Sequence, residues 1–440
     1  MSSSVQTIAT RPLGQTFARR VVIMALVLCA AGVPLLPTNG MKVAGTLLSG
    51  CVLVVGAYVF ARSGEGLRPT PLDGPALTFL SFAVLSTIFA VNPRVSFFPN
   101  VTRGEGLLDY LVYVPMALAA ARLTLPEVRE LLGVLLGVSA LIGGIGTAQY
   151  YGLDATVWIG GRGFFYGARS WGTLANPDFL GGYVTLALPI GLALAATAAA
   201  PRQRWGYGVA CTLLYAALLA SETRSAWAAA ALAVTVLLAR LPRSAQLYRR
   251  FAMLGLAFAA VTVVMMGEHP QVSFAGRAAS ALSSGDSSMQ GKLWIWEHTL
   301  PMIRERPMLG WGFSSILGRI PGIGTPSYNK IFGGGAPVLI DVAHNDILQV
   351  LVTMGVLGLA AYVWVWMTAL RAAARASRNS SRAPGGVEAA GVLAALIAYV
   401  LWLQFLWSHI GNANVFWVLT GIAVSLCRAA AEGILPGRAN

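Results

Sequence analysis

The chain has 440 residues, 56% of them hydrophobic and only 11% charged, with a mean hydropathy of +0.67. That composition excludes a water-soluble globular domain and requires many membrane-spanning helices. A formal net charge of +14 would point to nucleic acid in a soluble protein. No basic run interleaved with aromatics appears, so no nucleic-acid partner is expected, and the charge belongs to cytoplasmic-loop arginines.

Apolar runs of spanning length fall at about 21–38, 43–61, 75–91, 105–121, 131–149, 178–200, 206–220, 225–239, 251–267, 347–370, 388–407 and 411–427. They predict an all-α integral membrane protein of about 12 transmembrane helices. Arg19-Arg20 precedes the first run, but Pro34 and Pro37 stand where a cleavage site would need small residues. An uncleaved first span is therefore expected. The seventh and eighth runs are separated only by Ser221-Glu222-Thr223-Arg224, which predicts a polar hairpin. The four cysteines (Cys29, Cys51, Cys211, Cys427) lie inside apolar runs and read as small core hydrophobes.

Charge sets the orientation. With both termini cytoplasmic, the short inner segments collect Arg11, Arg19, Arg20, Arg62, Arg68, Arg122, Arg129 and most of the later arginines. Six acidic residues share those segments: Glu65, Asp73, Glu127, Glu130, Glu388 and Glu432. Segment 371–387 is then a solvated basic connector without catalytic character. The arginines left outside are informative, because the same rule disfavours them there. Arg94, Arg103, Arg162, Arg169 and Arg224 all fall in short or medium outer loops. One alone reads as stray surface charge; five on one face point to an anionic ligand at the outer leaflet.

Two outer loops carry further signals. Residues 150–177 contain Gly160-Gly161-Arg162-Gly163 and end in Asn176-Pro177-Asp178, a turn that starts the next helix. The glycines allow close approach of backbone to a ligand, although an ordinary capped re-entry fits equally well. The loop 268–343, between spans 9 and 10, has 76 residues and needs helices of its own. Leu293, Trp296, Leu300 and Ile303 form a helical stripe, lying on the bilayer surface or packed on the bundle. Gly333-Gly334-Gly335 offers a hinge, and no Gly-Lys-Ser/Thr follows to make it a phosphate loop.

The densest group of proton-handling side chains is Asp341-Val342-Ala343-His344-Asn345-Asp346, just before the tenth apolar run. His344 is expected in the first turn of that helix, with Asp341 or Asn345 as its cap. The positive helix end biases the imidazole toward neutrality, so it can accept a proton from a hydroxyl, with Asp341 or Asp346 orienting the ring. The bland alternative is a capping or interfacial histidine. His269, His298 and His409 are weaker candidates, and no pair has zinc-ligand spacing, so neither metal nor cofactor is expected.

At these residues the chain resembles the O-antigen ligase and polymerase superfamily of bacterial envelope glycosyltransferases, of the membrane GT-C type, and lipopolysaccharide O-antigen ligases above all. The similarity rests on Arg169-Ser170-Trp171-Gly172-Thr173-Leu174-Ala175-Asn176-Pro177, Thr223-Arg224-Ser225, Lys292-x-x-Ile295-Trp296, Pro307-x-x-Gly310-x-Gly312, and His344-Asn345-Asp346 followed by Gly355-x-x-Gly358. It implies an undecaprenyl diphosphate–polysaccharide donor, a lipid A–core acceptor and inverting transfer without metal, at the periplasmic face of the inner membrane. It makes His344 the base and Arg224 a diphosphate clamp. Lys292 stands where the family usually has arginine, and Arg277 is the residue to share its role. Arg169, Arg162, Asn345 and Asp341 complete the expected donor-binding set. The chain divides accordingly into spans 1–9 (1–267), a periplasmic loop subdomain (268–343) and spans 10–12 (344–440). An O-antigen polymerase or protein O-oligosaccharyltransferase is the alternative within the superfamily. A lipid-linked glycan transporter is the alternative outside it, disfavoured because apart from Asp109 the spans are nearly free of charge.

Overall fold

The computed structural model describes residues 13–62, 67–98, 105–159, 169–268, 276–277, 287–317, 319–320, 325–326, 329, 331, 340–380 and 383–434. These residues are helical, with no strand among them. In chain order they form α1 (Leu13–Val27, running on through a π-turn at Leu28–Gly32), α2 (Asn39–Arg62), α3 (Asp73–Ile88) and the short α4 (Pro93–Phe97). There follow α5 (Leu107–Ala120), α6 (Leu125–Tyr150), α7 (Pro177–Thr197), α8 (Pro201–Ala220), α9 (Arg224–Arg240) and α10 (Ala245–Glu268). Last come α11 (Ser287–Glu305), α12 (Asp346–Ala376), α13 (Gly386–Trp402) and α14 (Ile410–Ile434).

Each apolar run read from the sequence coincides with one of these helices. Seven are long and apolar enough to cross a membrane, and α3, α5 and α13 are shorter apolar helices. The polar hairpin at 221–224 separates α8 from α9. The molecule is thus a helical membrane protein. In α7 and α14, 94% of the apolar window is buried, against 6% in α10, so the first two are the centre of the bundle and α10 its edge. Small residues let the central helices approach: a Cβ on Gly182 of α7 would lie 2.5 Å from the Trp402 indole of α13. Cys29 and Cys211 are buried as expected, but Cys51 is exposed on α2. An apolar run in a membrane bundle has a lipid-facing side, and hydrophobicity alone does not distinguish it from the core.

The two ends of the bundle differ. At one end Arg19 pairs with Glu127, Arg20 with Glu130, Arg122 with Asp73, Arg129 with Glu388 and Arg428 with Glu432. These are five of the six acidic residues assigned to the inner segments; Glu65 lies outside the described residues. At the other end the predicted outer segments bind one another. Lys42 donates to the carbonyls of Leu36 and, at 2.7 Å, Thr173, and Thr173 Oγ1 donates to the Pro34 carbonyl at 2.7 Å. Val91 N donates to the Trp311 carbonyl at 3.2 Å.

One element of this second end is unusual. Helix α12 breaks at Gly355 (φ 66°, ψ −170°), and the turn 307–312 fills the break. Trp311 N and Gly312 N donate to the carbonyls of Val352 and Thr353 at 2.7 and 2.9 Å, while Val356 N donates to the Pro307 carbonyl at 2.8 Å. The freed backbone groups of a broken apolar helix thereby find partners inside the protein. The two glycine motifs, 310–312 and 355–358, are the halves of this lock. Backbone approaches so closely that a Cβ on Gly310 would sit 2.4 Å from the Thr353 carbonyl carbon.

The loop helix α11 bears on one of the two placements expected for its stripe, packing on the bundle. The face it packs inward is Trp294, Ile295, Thr299 and Met302, against Ile316, Ile320, Ile340 and Val352. Of the predicted stripe, Leu293 and Leu300 are exposed and Trp296 is half-buried, while Ile303 packs against the inward cluster. The helix has apolar residues on both faces, and a 3.6-residue period fits either.

Candidate active site

The loop entering α7 begins the site. Asn176 caps the helix, its side chain accepting from Asp178 N at 2.8 Å, after Ala175 takes a left-handed φ of 63°. That turn presents Asp178 to Arg169, whose Nη2 donates to Asp178 Oδ1 at 2.6 Å. The Arg169 Nε donates to the Ser221 carbonyl at 3.0 Å, and Ser170 N to the Ala220 carbonyl at 2.9 Å. The 169–178 loop is therefore stitched to the α8–α9 hairpin. Thr223, the residue before α9, closes the stitch by donating from Oγ1 to Asp178 Oδ1 at 3.1 Å.

The hairpin carries the next cations. Glu222 is buried with a left-handed φ of 48°, and Arg277 Nε donates to its carbonyl at 2.9 Å while lying 3.1 Å from its carboxylate. Burial depresses the Arg277 guanidinium, the Glu222 carboxylate opposes this, and Arg169 and Arg224 add to the depression. Those couplings place Arg169, Arg224 and Arg277 in one electrostatic neighbourhood. Lys292, half-buried on α11, joins them through its interaction with Asp178. Arg224 occupies the first position of α9, where the helix dipole disfavours a cation by ~0.3–1 kcal/mol. Four of the cations proposed from sequence thus converge. Arg162 and Arg103 lie outside the described residues, as does the glycine run 333–335, and Arg94 is exposed on α4 beside the 311–313 turn rather than in the group.

His344 stands one residue outside its helix, not in the first turn. Asn345 is the N-cap, its Oδ1 accepting from Leu348 N at 3.0 Å, and α12 begins at Asp346. Asn345 therefore resolves the choice of cap left open by the sequence. Its Nδ2 donates to the Gln404 carbonyl at 3.0 Å, so the amide is committed to holding this corner together. Asp346 is buried and accepts from Ser408 N at 3.0 Å through Oδ1. Asp341 is half-buried three residues before the histidine. His344 itself is half-buried with φ 50°, a left-handed conformation that costs an L-residue about 1 kcal/mol or more.

The histidine and the cations meet through one aromatic. The His344 ring packs edge-on against Trp407, centroids 4.9 Å apart, and Trp407 packs edge-on against Phe179 at 5.1 Å. Phe179 follows Asp178, the partner of Arg169, so the first turn of α7 is common to both halves. His409 is buried flat against Phe179 and bonded to Asn39, a packed core histidine. His298 stacks on Trp294 and contacts its carbonyl; His269 lies outside the described residues. Sequence reasoning had not named Glu222, Asp178 or Trp407 as site residues. For the two carboxylates the signal was present, since each is acidic within a few residues of an outer arginine.

The fold is thus a helical membrane bundle that brings four cations and, through Trp407, a histidine to one end. Residues 209–363 match the model of the O-antigen ligase family. The matched segment includes Arg224, Arg277, Lys292, His344 and both halves of the glycine lock, while Arg169 precedes it. This similarity supports an enzyme of the O-antigen ligase or polymerase type, a membrane-associated glycosyltransferase using lipid-linked glycan. No curated protein matches the chain significantly.

Proposed function

We propose that the protein transfers a polysaccharide from undecaprenyl diphosphate to a hydroxyl of lipid A–core, as an O-antigen ligase. The observation that carries this reading is the charge of the converged group. Arg169, Arg224, Arg277 and Lys292 face two carboxylates, Asp178 and Glu222, so the group retains two positive charges. A diphosphate diester carries two negative charges, and a half-buried, partly desolvated setting strengthens their attraction.

In this reading the twelve helices that coincide with the apolar runs each cross the inner membrane once. The arginine-paired end and both termini face the cytoplasm, and the site opens to the periplasm. His344 accepts the proton of the acceptor hydroxyl as that oxygen attacks the anomeric carbon. The bond from the anomeric carbon to the diphosphate oxygen breaks, with inversion, and the charge released on the diphosphate is taken up by the cations. The N-terminal end of α12 favours the neutral imidazole this requires. Neither metal nor nucleotide enters the scheme, and no cofactor is needed. Asn345 serves the site by fixing the corner, and Asp341 lies on the approach to the histidine. Arg162 falls in the loop that leads to Arg169.

The test is transfer from purified lipid-linked glycan, with chelator present, to lipid A–core, a second lipid-linked glycan or a pilin in separate reactions. Product on lipid A–core alone is expected, and none with His344→Ala. Full transfer by that variant would overturn the base assignment, and a chelator loss reversed by added metal would overturn the metal-free scheme. Product on the second glycan or the pilin instead would assign polymerase or protein glycosylation.

A further inference from the structure

The corner that carries His344 is held from below by two side chains that the scheme above does not use. Gln349 lies in the first turns of α12, 3% exposed, and its Oε1 accepts from Ala343 N at 2.9 Å. Its Nε2 donates to both carboxylate oxygens of Glu105, at 3.0 and 2.9 Å. Glu105, 8% exposed, sits two residues before α5, and its carbonyl accepts from Ser314 Oγ at 3.0 Å. The carboxylate thus reaches, through one amide, the backbone immediately preceding the histidine.

We propose that Glu105 and Gln349 are positioning residues that fix the Val342–Ala343 peptide and so hold the following residue, His344, in its left-handed conformation. The proposal rests on the reading of His344 as the base. Three features favour a positioning role over mere filling. A left-handed histidine persists only where its surroundings over-determine it, and Ala343 N is the nearest backbone group upstream that is pinned by a side chain. The Gln349 amide is engaged at both ends, Oε1 on Ala343 N and Nε2 on the Glu105 carboxylate, a link that an apolar side chain of similar volume would not make. Gln349 also stands on the half of α12 that the 307–312 turn locks in place, since Ser86 Oγ and Gly312 N both donate to the Thr353 carbonyl and Thr353 Oγ1 to that of Gln349. The amide is a fixed strut between a fixed helix and a strained residue.

The orientation of the pair gives a sharp experiment. In Gln349→Leu both links are gone. Turnover is expected to fall about tenfold or more with donor KM changed less than about threefold, because the base is misplaced while the cation group is intact. In Gln349→Glu two buried carboxylates face each other and share one proton, and the protonated glutamate still donates to Glu105 and accepts from Ala343 N. Transfer should therefore survive near neutral pH and acquire a descending alkaline limb as the shared proton leaves. The exchange Glu105→Gln with Gln349→Glu restores one donor and one acceptor in reversed order, and should abolish that limb. A transfer-independent readout is the rate at which His344 is acylated by diethylpyrocarbonate, followed by mass spectrometry in membranes: it should change at least about threefold in Gln349→Leu and return in the exchanged protein. Wild-type turnover in Gln349→Leu, an alkaline limb that persists in the exchange, or an unmoved acylation rate would each overturn the proposal. A changed acylation rate in Gln349→Leu together with full transfer by His344→Ala would uphold the tether and overturn only the base.

Discussion

At the scale of single residues, the cations differ in where the fold places them. Arg169 is tied to Asp178 and to the Ser221 carbonyl, and Arg277 to Glu222; replacing either leaves a carboxylate without its partner. Arg224 stands at a helix start that disfavours its charge, which fits a residue retained for an anion rather than for the helix. Arg224→Ala is therefore expected to raise the KM for lipid-linked donor about tenfold or more, with turnover at saturation reduced far less. Arg224→Lys should recover part of the loss, because it restores the charge but not the bidentate fork. Donor titration of the purified variants checks this, and an unchanged KM would remove Arg224 from the diphosphate contact. Arg169 and Arg224 were legible in sequence because each breaks a charge rule at its position, whereas Arg277 and Lys292 lie in the long loop that the rule discounts and were named only by the family resemblance. Glu105 and Gln349 were not, since a glutamine one turn into a helix and a glutamate before one break no rule, and only their 3 Å approach reveals the pair.

At the scale of elements, the lock between the 307–312 turn and α12 decides how firmly the outer corner is held. Gly355 has dihedrals open in practice only to glycine, and a Cβ there would lie 2.3 Å from the Met308 carbonyl carbon and oxygen. Both are backbone atoms, so no rotamer change relieves the clash. Gly355→Ala is expected to destabilise by ~3 kcal/mol or more, seen as a lower melting temperature in detergent and a lower yield of folded protein. Gly310→Ala acts on the same interlock, and the double variant should lose less than the sum of the two. A Gly355→Ala protein melting with the wild type would refute the lock. Pro307-x-x-Gly310-x-Gly312 and Gly355-x-x-Gly358 were visible as glycine motifs, but their meaning is relational, because Gly310 and Gly355 are each required by a backbone some 45 residues away in sequence. Which side of α11 packs on the bundle depends on partners in the same way. Both faces of that helix are apolar, and the partner, not the period, chooses between them.

At the scale of the whole molecule, the organising feature is the asymmetry between its two ends. One end spends its arginines on acidic partners in neighbouring segments; the other gathers four cations around two carboxylates. The first pattern is what a cytoplasmic face needs, where positive charge orients the spans and pairing tempers its self-repulsion. The second is what an anion needs. The orientation proposed from this asymmetry can be tested with single cysteines. Trp158, in the loop after α6, is 87% exposed, and the Arg20 side chain near the start of α1 is 66% exposed at the opposite end. In a background with the four native cysteines replaced by alanine or serine, Trp158→Cys should react in intact spheroplasts with a membrane-impermeant maleimide. Arg20→Cys should react only after the membrane is opened. The reverse pattern would turn the molecule over and put the histidine and its cations on the cytoplasmic side, where no acceptor on the outer leaflet could reach them. Labelling of both positions from outside would break the alternation on which the count of twelve crossings depends.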